Sequence, residues 1–198
     1  IITGFARING FPVAIFANDS NFYAGSMSAE GAQKTSRFIR LCDTFRIPIV
    51  SLVDEPGFLI GPDAERAGTI LHGTEAVLAT TESKVPWTTI MIRKSFGVAA
   101  AAHYGPDGYV LAWPSAESGP LPLEGGVAVA FKKEIASAKN PEAKRKELEE
   151  KMAKNQSPFP RAEAFSVHEI IDPRETRKYI ALWAERIQSQ LKASLMNR

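Results

Sequence analysis

The stretch IPIVSLVDEPGFLIG, residues 47–61, decides the architecture. Residues 49–53 form an uncharged run rich in Ile and Val. Pro48 bounds it on one side; Asp54, Glu55 and the Pro56-Gly57 turn bound it on the other. A short continuous apolar run between turn signals reads as a strand buried on both faces. A long helical pattern begins at Pro62, so the chain passes from strand to helix through an acidic pair and an apolar Phe58-Leu59-Ile60. Ligands in α/β sheets gather at such strand ends. Asp54 and Glu55 are adjacent and point to opposite sides of an extended segment, a poor arrangement for paired acid–base work. Their expected role is to hold the loop by hydrogen bonds and leave its backbone to line a site.

Upstream, residues 4–8 and 11–17 read as two strands joined by the tight Asn9-Gly10 turn. Ser28 is placed to cap a helix over 29–45, where Ala32, Phe38, Ile39, Leu41, Cys42 and Phe45 recur at helical spacing. Downstream, residues 62–83 read as one helix whose interior Gly68 and Gly73 weaken it, so close packing is expected at both. A buried strand, WTTIMI, ends at Arg93 and turns straight into the Ala-rich SFGVAAAAHYG. YVLAWP is a further strand, residues 125–138 a small-residue helix, and residues 141–155 a solvated helix with Lys and Glu suited to i, i+4 pairing. Asp172 followed by Pro173, with Glu175 three positions on, marks a last helix start. Strands alternating with helices argue for an α/β fold, and no linker or repeat divides it, so one domain is expected.

Composition excludes several function classes. The basic excess is 24 − 22 = 2 charges over 198 residues, too small to draw the chain to nucleic acid. No run approaches the roughly 18 apolar residues of a membrane span. Cys42 is the single cysteine, which rules out an internal disulfide; read as a packing residue, it fits a reducing compartment. The three histidines are scattered and, with one cysteine, offer no metal cluster. His72 and His103 read as packed or capping residues, and Trp87, Trp113 and Trp183 as core or interface. Phosphate-loop, dinucleotide and nucleophile-elbow signatures are missing. The second strand-to-helix junction, Arg93 to Ala100, is another candidate site, with simple tight packing of the Ala-rich helix as the alternative. Gly97 lets backbone approach a ligand, small side chains leave the helix start open, and free amides there can donate to an oxyanion.

In order, GFARINGFPVAIFAND, RFIRLCDTFRIPIVSLVDEPGFLIG, ILHG, RKSFG, LAWPSAE, EGGVAVAFKKEI and EIIDPRETR resemble the carboxyl-terminal half of the carboxyltransferase (beta) subunit of biotin-dependent acyl-CoA carboxylases, the propionyl-CoA carboxylase type. The resemblance spans nearly the whole chain. It implies a crotonase-like (ClpP-like) fold, a β-β-α superhelix, with residues 1–198 as the carboxyl-terminal carboxyltransferase domain. The chain opens inside a strand without Met, and the expectation is a piece of a longer polypeptide whose amino-terminal half binds CoA. The implied reaction moves a carboxyl group from carboxybiotin, carried on a partner domain, to the α-carbon of an acyl-CoA. Backbone amides of Val98 and Ala99 then form the oxyanion hole for the biotin enolate. Gly57, Phe58, Gly97, Ala101 and Glu124 are implied to bind biotin or substrate.

No metal is implied, and no biotinyl-lysine motif is present, so biotin must arrive from elsewhere. Implied partners are a biotin carboxyl carrier domain, a biotin carboxylase subunit, the amino-terminal carboxyltransferase half and further copies of the chain, in the cytoplasm or the mitochondrial matrix. Relatives commonly carry Gly where Val98 stands; Val keeps its N–H there provided its φ is negative. Relatives also commonly show Pro-Glu-Gly where this chain has Leu123-Glu124-Gly125. Alpha subunits of biotin-dependent decarboxylases share the same pattern. A biotin-independent crotonase-fold hydrolase or isomerase would need an acid or base near the amides, with Asp54, Glu55 or Glu124 as candidates. A noncatalytic assembly module is the remaining alternative.

Overall fold

The structure, a computed structural model, describes residues 1–196, apart from the side chains of Glu124 and residues 193–196. Its first turn is made by Asn9 and Gly10, both at positive φ, +49° and +84°. That is the type I′ geometry whose twist suits a two-residue hairpin. It closes β1 (Ile2–Ile8) onto β2 (Phe11–Ala17) with Ile8 opposite Phe11. A loop with three successive positive-φ residues, Tyr23, Ala24 and Gly25, leads to α1 (Ala29–Phe45). Ser28 caps this helix, its side chain accepting from the Gly31 N–H at 3.1 Å.

Three parallel strands build the centre of the sheet. β3 (Ile49–Glu55) lies between β2 and β4 (Trp87–Phe96). Two helices separate β3 from β4: α2 (Pro62–Arg66) and α3 (Thr69–Thr81). The single helix expected here is broken because Gly68 takes the left-handed conformation, φ +74°. Gly68 therefore serves as a hinge between helices, whereas Gly73 does meet the expected close packing. β4 also runs three residues beyond Arg93, to Phe96, before α4 (Gly97–Ala101).

Beyond α4, β5 (Tyr109–Ala112) pairs with the first half of β4, and β6 (Glu117–Gly119) pairs with its last three residues. The small-residue helix expected over 125–138 is instead α5 (Leu123–Ala130) and α6 (Lys132–Ser137), interrupted at Phe131, whose φ of −114° is not helical. The charged helix α7 (Pro141–Gln156) and the short α8 (Pro158–Glu163) follow. β7 (Glu169–Ile170) then adds to β5. Asp172 accepts from the Arg174 N–H as foreseen, but Pro173–Glu175 form a 3-10 turn that precedes α9 (Thr176–Arg186) and α10 (Gln188–Met196).

The sheet, seven strands in the order β1-β2-β3-β4-β5-β7 with β6 beside β4, is covered on both faces. One face buries Val13, Val50, Ile90 and Leu111 against Ile180, Trp183 and Ile187 of the α9 region. The other buries Phe16, Ile49 and Trp87 against Phe38, Ile39 and Cys42 of α1 and Ala79 of α3. Among the described residues no helix is long and apolar enough to cross a membrane.

Burial pushes the Cys42 thiol up to about 12, with the adjacent Asp43 carboxylate adding to the effect. The reactive species is the thiolate. Iodoacetamide at pH 8 should therefore leave the native chain unlabelled over the time that fully labels the urea-unfolded chain. Equal labelling rates by mass spectrometry would contradict this packing.

Candidate active site

The β4–α4 junction exposes backbone where the sheet ends. Phe96 is extended and buried, Gly97 turns at φ +65°, and α4 begins at once. The first four N–H groups of a helix have no acceptor within it, so the amides at this end lack an intrahelical partner. Val98 lies inside the helix and is not among the positive-φ residues, so the β-branched side chain is compatible with a donating N–H. Val98 is 67% exposed, while Ala99 is fully buried. Gly97, Val98 and Ala101 share the solvent side of α4, and Ala99 and Ala100 face the core.

The 56–59 loop forms the opposing wall. Ala99 and Phe58 belong to one apolar cluster with Met27, Ala32, Ala76 and Ala102. Met27 N–H donates to the Gly57 carbonyl at 3.1 Å, and Leu59 N–H donates to the Met27 carbonyl at 2.9 Å. Gly57 sits at φ +133°, and a Cβ placed there would meet nothing within 4 Å, so the loop is open on that side. Gly57, Phe58, Gly97, Val98, Ala99 and Ala101 are thus gathered at the carboxyl ends of β3 and β4. Glu124 lies in the first turn of α5; its side chain is outside the described residues. Pro120, shortly before that helix, brings its carbonyl to 3.5 Å from where a Gly97 Cβ would stand.

Phe58 is held by a specific gap in α3. A Cβ added to Gly73 would stand 2.3 Å from Phe58 Cε1. Gly73→Ala should therefore displace the ring and cost about 1–3 kcal/mol by overpacking. In a Phe58→Ala background the same change should instead stabilise by about 0.5–1 kcal/mol, the ordinary gain of Ala over Gly within a helix. Urea denaturation of the four chains checks this, and additive effects would contradict it.

The acidic pair does what the loop needs. Asp54 accepts from Arg93 Nε at 3.0 Å and from the Lys94 N–H at 3.1 Å. These contacts span the point where the β3–β4 register shifts between Val53 and Glu55. Glu55 is fully buried, and its Oε1 accepts from the Gly57 N–H at 3.0 Å. Asn18, which sequence reasoning passed over, donates to Glu55 Oε2 at 2.9 Å and to the Gly25 carbonyl at 3.1 Å. Its signal was an amide side chain just beyond an apolar strand. His72 bridges α1 and α3, with Nε2 2.8 Å from Gln33 Nε2 and Nδ1 3.2 Å from Glu75. A cavity of about 730 Å³ lies at the opposite, amino end of the strands, beside Trp87, Tyr109 and Trp183. It offers neither the helix start nor the glycine turns of the α4 side.

Comparison with known proteins bears on this geometry. The family model described as carboxyl transferase domain matches residues 1–197. The propionyl-CoA carboxylase carboxyltransferase subunit of Haloferax mediterranei is 38% identical over 198 residues, covering 98% of this chain and 38% of that protein. The methylmalonyl-CoA carboxyltransferase 12S subunit of Propionibacterium freudenreichii is 40% identical over 185 residues, 91% of this chain and 35% of that protein. A crystal structure of transcarboxylase 12S, a hexamer with methylmalonyl-coenzyme A and methylmalonic acid bound, superposes with a TM-score of 0.88 at 38% identity. That match covers 94% of this chain and 37% of the other. The architecture is therefore the crotonase-like fold expected from the sequence, and the chain spans little more than a third of the length of these relatives.

Proposed function

This chain belongs to the carboxyl transferase domain family, and on that premise we propose that it forms the carboxybiotin-side half of an acyl-CoA carboxyltransferase. The observation that supports the reading is the β4–α4 junction, where the helix-start amides of Val98, which is exposed, and Ala99, which is fully buried, lie beside the Gly57-Phe58 wall. The ureido carbonyl of biotin is an acceptor, and the donors available here are backbone N–H groups, so donor set and group fit. When bound, carboxybiotin supplies the activated carboxyl group for the acyl-CoA. The amides of Val98 and Ala99 hold negative charge at that carbonyl oxygen; their fixed orientation avoids reorganisation as charge builds. Gly97 permits close approach, Phe58 closes one side, and Gly57 leaves room next to it. Ala101, on the solvent side of α4 with Gly97 and Val98, and Glu124 are assigned to substrate contact.

Ile60, Val98 and Val129 are 87%, 67% and 74% exposed, large apolar side chains that cover by another polypeptide would bury. The CoA side is assigned to an amino-terminal carboxyltransferase half, with assembly into homo-oligomers. Biotin arrives on a carrier domain charged by a biotin carboxylase subunit, in the cytoplasm or the mitochondrial matrix. The test combines this chain with an amino-terminal half, a biotinylated carrier domain and a panel of acyl-CoAs. Labelled carboxyl transfer is followed in both directions. Transfer should need both halves. Robust transfer by this chain alone, or none by the pair, would overturn the reading.

A further inference from the structure

Behind the Gly57-Phe58 wall the protein buries two titratable side chains that the proposed transfer does not use. Glu55, at the end of β3, and His103, just after α4, are both completely inaccessible. Glu55 ties down the Gly57 N–H and, through Asn18, the Gly25 loop. The His103 ring stacks on Phe16 at 4.3 Å, nearly parallel, and its backbone carbonyl accepts from Thr89 Oγ1 at 2.8 Å. Its Nδ1 is 2.9 Å from Ser51 Oγ. Its Nε2 has no hydrogen-bond partner among the described residues, and Glu55 Oε2 stands 3.7 Å away.

With Glu55 as a carboxylate, a proton on His103 Nε2 suits that geometry. A bare Nε2 would set its lone pair against a carboxylate oxygen in a site closed to water, leaving a buried acceptor unpaired. With a proton on Nε2, the imidazole N–H faces the Glu55 carboxylate across 3.7 Å, a favourable electrostatic contact beyond hydrogen-bond length. The Ser51 hydroxyl rotates to serve Nδ1 as donor or acceptor, whichever the ring requires. The acidic end of β3 then faces a residue just beyond Ala102, the α4 C-cap.

We propose that Glu55 and His103 are positioning residues that fix the Gly57-Phe58 wall relative to the α4 amides through a proton held on His103 Nε2. This rests on the site assigned under Proposed function, although its first test does not. Nitrogen-15 NMR of the uniformly labelled chain should show a protonated His103 Nε2, and a pyridine-like Nε2 would overturn the proposal.

The second test uses the chain paired with its amino-terminal half. His103→Gln presents an N–H near the Nε2 position, and His103→Asn presents one near Nδ1. Loss of alignment costs roughly 10- to 100-fold in such sites. His103→Asn and Glu55→Ala should lose that much in kcat with KM for acyl-CoA unchanged, and His103→Gln should recover most of it. Equal rates for Gln and Asn, or a loss confined to KM or to thermal stability, would overturn the positioning role. If the wild-type pair transfers nothing, the functional reading fails, and hydrogen exchange at Gly57, Val98 and Ala99 replaces kcat as the readout. His103→Asn should then speed exchange at Gly57 and alter it at both α4 amides, and unchanged exchange at all three would overturn the proposal.

Discussion

Val98→Pro should lower kcat for carboxyl transfer by about 10²–10³-fold, the usual loss when one oxyanion donor is removed. The substitution deletes the N–H, and a first-turn helical position tolerates a ring that lacks it. Val98 is 67% exposed, so no core contact is lost. Unfolding by urea should therefore scarcely change. Val98→Ala separates amide from side chain: it keeps the donor, and its loss should be far smaller. Ala99→Pro removes the neighbouring donor and should also abolish transfer, but Ala99 is fully buried against Phe58 and Met27. Its effect therefore mixes chemistry with overpacking, which makes Val98 the cleaner probe. Full activity in Val98→Pro would remove that amide from the site.

Trp87→Ala should cost about 3–5 kcal/mol of stability, the range for emptying a large aromatic site in a core. Trp87 opens β4 and is 1% exposed. Its Nε1–H donates to Ser83 Oγ at 2.9 Å, and Ser83 Oγ in turn donates to Asp43 at 2.9 Å. The ring also fills the space over Gly105, where an added Cβ would stand 2.2 Å from Trp87 Cγ. Removing the indole thus leaves a cavity and strands a hydroxyl network between α1 and β4. Urea denaturation measures the loss. A cost below 1 kcal/mol would mean that the site collapses around the smaller residue.

These two residues mark the ends of what sequence reasoning reaches. The β4–α4 junction is legible because its signals are local: a buried strand, one glycine and four successive alanines, residues 99–102. The Asn9-Gly10 hairpin and the Ser28-capped helix are legible for the same reason, and the structure reproduces that helix over residues 29–45. Gly68 departs from the packing expectation because a glycine inside a helical pattern can either pack closely or break the helix in a left-handed conformation, and composition does not choose between them. Gly73 took the first course and Gly68 the second. The division of β4 between β5 and β6 depends on pairings made by the whole sheet. The Glu55–His103 contact is equally hidden: His103 meets Ser51 across 52 positions of sequence. The acidic pair in DEPG was visible from the start, whereas its partners required the fold.

The amides themselves can be observed directly. In a nitrogen-15 spectrum of this chain titrated with biotin amide, the Val98 and Ala99 resonances should shift saturably. Gly57, whose N–H is already taken by Glu55, should move little, and Val98→Pro should weaken the binding. Shifts clustered instead at the amino-end cavity beside Trp87, with Val98 and Ala99 unmoved, would contradict the assignment of biotin to α4.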